Sequence, residues 1–127
     1  MNGTNRNTDL EMRTKKFALA VISFVSQLTK TKATDVMGYQ LLKAGTSVGA
    51  NYREANRAES HDDFIHKIGI VEKEASETLY WLELFRDSQT NDDSKLNSLA
   101  QESGELLAIF TAIGKTAKRN RALRKQA

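Results

Sequence analysis

Phe64, Ile68, Val71, Ala75, Thr78, Leu82 and Phe85 follow one another at alternating spacings of four and three. Seven positions in that rhythm share one face of a helix and fit no strand, whose side chains change face at every residue. The same rhythm recurs three more times. Leu10, Phe17, Val21, Phe24 and Leu28 mark a helix over roughly 10–29. Leu41, Ala44, Val48, Tyr52 and Ala55 mark a second, to about Arg57, and Leu96, Leu99, Leu106, Phe110 and Ile113 a fourth, to about Lys118. There is no proline to interrupt any of them.

The connections are short and polar. Thr34 or Asp35 can cap the second helix, Ser60 with Asp63 resembles a capping box for the third, and Asp92 or Asp93 can cap the fourth. Short loops between long helices make successive helices antiparallel neighbours. The expected fold is all-α: an antiparallel up-down-up-down four-helix bundle over residues 10–118. Residues 1–9 are expected to form a disordered N-terminal tail and 119–127 a basic C-terminal one.

At 127 residues the chain is one domain that can bury a core without staples. It has no cysteine, which excludes disulfides and thiolate metal sites. Its apolar runs are far short of a membrane span. Residues 1–9 are polar and have no signal-peptide apolar stretch. A cytoplasmic protein without membrane contact is expected.

The net charge of +3 is unevenly placed. Lys115, Lys118, Arg119, Arg121, Arg124 and Lys125 stand in a segment, 115–127, that has no acid. The other residues hold 13 basic and 16 acidic side chains, so the body is mildly acidic and its end basic. These six residues are the candidate phosphate contacts. Arg119, Arg121 and Arg124 lead, because guanidinium pairs with phosphate through two hydrogen bonds.

Two features exceed the needs of one bundle. In the third helix Leu79, Phe64, Phe85, Trp81 and Ile70 span about half the circumference, whereas a core stripe needs a little over 100°. Leu19 and Ile22 likewise leave the main seam of the first helix. Ile70 and Trp81 are therefore candidates for a subunit interface. The second helix has small residues at its centre, with Gly45 and Gly49 each costing on the order of 1 kcal/mol in a helix interior, which points to close helix approach. The GxxxxGK phosphate loop is absent there. Gln40, Ser47, Asn51 and Glu54 form a polar stripe on this helix, and Lys67, Glu74, Glu77 and Trp81 share one flank of the next. A partly buried polar network between the two stripes is expected.

Catalytic constellations are missing. A di-iron bundle needs Glu-x-x-His on two helices plus two more carboxylates. Here both histidines, His61 and His66, open one helix, and Asp63 to His66 is the one carboxylate-x-x-His, without a mate. No Ser–His–Asp set is discernible. No enzyme activity, metal or cofactor is expected.

The segments Gln40 to Ala55, Ser60 to Lys67 and Glu74 to Leu82 resemble the four-helix-bundle family of 23S rRNA intervening-sequence proteins, over most of residues 13–115. The SVGAN and EASETLYWL blocks carry the resemblance. The family's shared positions match Gln40, Ser47, Asn51, Glu54, Phe64, Glu74, Glu77 and Trp81. The resemblance implies a four-helix subunit in a ring-shaped homopentamer. The family is similar to an accessory protein of diversity-generating retroelements that binds a reverse transcriptase and nucleic acid. The functional expectation is a non-catalytic oligomeric scaffold or adaptor, with RNA, DNA or a nucleic-acid enzyme as candidate partner. The alternative is a bundle that binds a protein partner and no nucleic acid.

Overall fold

The computed structural model describes residues 2–88 and 93–126, with side chains from residue 7 onward. Four helices account for nearly all of it: α1 (Asn2–Ser26), α2 (Lys32–Ala55), α3 (His61–Asp87) and α4 (Ser94–Gln126). Each helix lies closest to its two neighbours, with α2 against α3 the closest pair and α1 against α4 the thinnest, and diagonal helices meet through core rings, Phe24 on Phe85 at 5.3 Å and Tyr52 on Phe110 at 5.1 Å. This is the four-helix bundle the periodicity predicts.

The seams read from the sequence are the core. Phe17, Val21, Leu41, Val48, Tyr52, Ile68, Val71, Leu82, Leu96, Leu106 and Phe110 are all buried. Phe64 and Ile113 lie at the core's edge instead, while Ile65 takes a buried place. The middle of α2 does pack closely, and against α1. A side chain at Gly45 would meet the Val21 methyls, and one at Gly49 would stand 2.9 Å from Thr14 Oγ1.

The helix starts are set by capping side chains. Thr31 caps α2, rather than Thr34 or Asp35: its hydroxyl accepts from the Thr34 N–H, and the Thr34 hydroxyl accepts from the Thr31 N–H. Two threonines thus build the reciprocal box. Ser60 caps α3 as expected, but the Asp63 carboxylate reaches the Glu59 N–H instead of that of Ser60. Asp93 caps α4 by accepting from the N–H groups of Lys95 and Leu96; Asp92 lies outside the described residues.

Both expected tails differ. Backbone 2–9 continues α1, and 119–126 continues α4. The apolar period stops where side chains no longer face the core, but a helix already nucleated extends one hydrogen bond at a time. The overhangs also touch the bundle. Tyr52 donates its hydroxyl to Asn7 Oδ1 at 3.3 Å, and Arg121 lies 3.5 Å from Asp62.

Candidate nucleic-acid interface

Because α4 is helical to Gln126, the six cations of its end have a fixed arrangement. At 100° per residue Lys115, Lys118, Arg119 and Lys125 fall within about 120° of one another, on one flank of α4. All four are exposed, as is Arg124. None of these five makes an ion pair or a side-chain hydrogen bond among the described residues. Arg121 differs, since Asp62 opposes its charge from the first turn of α3. The structure therefore keeps five of the six sequence candidates available and partly neutralises one of the three leading arginines. The helix dipole favours Arg124 and Lys125, which stand in the last turn, and gives those two a structural role as well.

The expected polar network does not form within the subunit. The two stripes border the α2–α3 groove from its two sides, but no hydrogen bond or ion pair joins them among the described residues. Ser47 donates its hydroxyl to the Lys43 carbonyl at 2.6 Å, and Asn51 donates Nδ2 to the Ser47 carbonyl at 2.8 Å. Short polar side chains in a helix readily bond their own preceding turn, and here that takes the place of a cross-helix link. Among the described residues Gln40, Glu54, Glu74 and Glu77 make no side-chain hydrogen bond, and Glu54 and Glu77 are exposed.

Ile70 and Trp81 are half-buried on the flank of α3 opposite Glu72, the residue that accepts from Thr111 of α4. Trp81 packs on the core edge, and its Nε1 is buried without an acceptor among the described residues. Tyr80 meets it edge to face at 5.1 Å and is 55% exposed. Val36 and Tyr39, near the start of α2, are exposed as well. The sequence reading passed over these three because a tyrosine or valine outside a core seam carries no periodic signal.

Two further features escaped the sequence reading. Arg13 of α1 clamps α4: its Nε and Nη2 donate to Glu102 at 2.8 and 2.7 Å, and Nη2 also reaches Glu105 at 2.9 Å. The Glu102 hydrogen bonds, then the charges of both glutamates, push the Arg13 pKa further above its already high value. The other feature is a cleft of about 330 Å³ at the end of the bundle, lined by Asn7, Tyr52, His61, Phe64, Thr116 and Asn120 among others. No group of His, Asp or Glu side chains suited to a metal ion occurs among the described residues. No helix there is long and apolar enough to cross a membrane.

The family model for the 23S rRNA-intervening sequence protein matches residues 6–112. The chain belongs to this family. The likeness extends to a solved structure, a protein of unknown function from the S23 ribosomal protein family of Bacteroides thetaiotaomicron, determined at 1.70 Å. It is 36% identical to this chain, covers 83% of it and 97% of its own length, and superimposes with a TM-score of 0.75. No curated protein matches the chain. The family match stops at residue 112, so the six cations lie beyond the matched segment.

Proposed function

We propose that the chain is a non-catalytic, cytoplasmic homo-oligomeric scaffold, most simply a pentamer, that binds RNA or DNA through the end of α4. One observation carries this reading: five exposed, unpaired cations on the last turns of a continuous helix, attached to a body whose own balance is −3. Phosphate affinity then has to come from α4. Binding of this kind rests on counterion release and reads little sequence. An oligomer would gather several such ends and multiply a weak contact by avidity. Exposed Tyr39 and Tyr80, the latter against Trp81, support self-association, since tyrosine and tryptophan are enriched where subunits meet. A nucleic-acid enzyme could then be held on the same scaffold.

Deletion of 118–127 tests the site. Anisotropy titrations with labelled RNA and DNA at low salt should show at least about a tenfold loss of affinity in the shortened chain. Equal binding by the two proteins would place the contact elsewhere on the bundle. Binding of a protein partner with no affinity for nucleic acid would favour the purely protein-binding alternative.

A further inference from the structure

The cleft at the end of the bundle has polar groups that the fold leaves unused. It lies where the start of α1, the end of α2, the start of α3 and the last turns of α4 converge. Phe64, Ile113 and Ala112 supply apolar wall. His61 Nε2 lies 2.9 Å from the Ala117 carbonyl, which can only accept, so Nε2 carries the hydrogen. In the neutral ring, Nδ1 is then left as an acceptor. The Asn7 amide oxygen takes the Tyr52 hydroxyl, and its Nδ2 has no acceptor among the described residues. Thr116 and Asn120 are exposed at the rim, with no side-chain partner among the described residues.

An apolar wall with a few convergent donors and acceptors is the usual make-up of a small-molecule site. The volume, about 330 Å³, is at the small end for such sites and suits one planar heterocycle. The charge beside it is positive. Leu106, Phe110, Ile113 and Ala117 form the core-facing line of α4, and past the last packed turn that line continues as Arg121 and Arg124. Arg121 is opposed by Asp62, whereas Arg124 has no partner among the described residues. Arg124 stands one turn beyond Asn120, about 6 Å along the axis. A heterocycle in the cleft and an anion at Arg124 together describe a nucleotide.

We propose that this end cleft holds one unstacked base of a single-stranded nucleic acid, with the adjoining phosphate paired to Arg124. The proposal rests on the reading that α4 binds nucleic acid, and it adds a preference for unpaired strands. In a duplex the base edges are occupied and the faces stacked. Splayed bases in single strands are free to stack on aromatic side chains and to offer their edges.

The test uses the full chain, labelled single-stranded RNA and DNA oligomers, and hairpin duplexes of the same composition. Thr116→Trp fills the cleft from an exposed position, and Asn120→Ala removes a rim amide with little risk to folding. Single strands should bind at least about tenfold tighter than duplexes, within what one stacked base contributes. Thr116→Trp should abolish that preference and leave duplex binding unchanged, and Asn120→Ala should weaken it. Equal affinity of RNA and DNA single strands would assign recognition to the base; a preference for RNA would add a ribose contact. The proposal is overturned if single strands and duplexes bind alike, or if both variants keep the preference. Absence of binding to every probe would remove the underlying reading as well, which separates the two failures.

Discussion

Gly49 and Gly69 are both helical, and alanine should act on them in opposite directions. Nothing lies within 4 Å of a side chain added at Gly69. Gly69→Ala should therefore stabilise the fold by about 0.5–1 kcal/mol, the helix-propensity difference. At Gly49 the added carbon would stand 2.9 Å from the Thr14 hydroxyl and 3.1 Å from Thr14 Cβ. Thr14 is fully buried, and its hydroxyl donates to the Leu10 carbonyl at 2.7 Å, so it has little room to move. Overpacking of about 1–3 kcal/mol should outweigh the propensity gain, and Gly49→Ala should lower the melting temperature. Thermal melts of the two variants check both signs. The sequence pointed to close approach at Gly49 because glycine is expensive inside a helix. It did not name Thr14 as the neighbour, because only apolar residues trace the seam of α1, and Thr14 fills the seven-residue gap in it between Leu10 and Phe17. Ser103, buried with its hydroxyl unpartnered among the described residues, fills the same kind of gap between Leu99 and Leu106.

Helices as units were the most legible level. Spacing of four and three defines them whatever the surroundings, and apart from Leu28, Phe64 and Ile113 the seams of α1 to α4 coincide with the buried residues. Their ends were less legible. Caps depend on which of several short polar side chains reaches an N–H, and overhangs carry no apolar period. The start of α3 offers a test. The Glu59 N–H, then Lys67 at 3.1 Å, hold the Asp63 carboxyl below the usual carboxylate range. A depressed folded pKa gives stability that is present above the unfolded value, about 3.9, and is lost as pH falls through the folded one. Asp63→Asn cannot titrate. The wild-type chain should melt higher than the variant near neutral pH, and the gap should shrink once pH drops below about 4. A gap independent of pH would mean that the carboxylate charge contributes nothing at this cap.

For the whole molecule, fold and function were unequally legible. The charge partition is a property of the sequence, and so are the candidate contacts. That Arg121 faces Asp62 while Lys115, Lys118, Arg119 and Lys125 share one side follows only once α4 is known to be continuous. The end cleft joins residues from all four helices, which no local pattern announces. Self-association is a prediction at this scale. Light scattering at micromolar concentration should give a multiple of 14.2 kDa, and Tyr80→Glu with Ile70→Glu should reduce it. A 14.2 kDa species from the unaltered chain would exclude the oligomer. The central claim is that exposed cations at the end of α4 bind phosphate. Its most direct test is the affinity of the full chain for an oligonucleotide measured between about 50 and 200 mM salt. The log of the binding constant should fall against log salt with a slope of roughly −3 to −5, as four or five phosphate contacts require. A flat salt dependence, or no binding at the lowest salt, would contradict it.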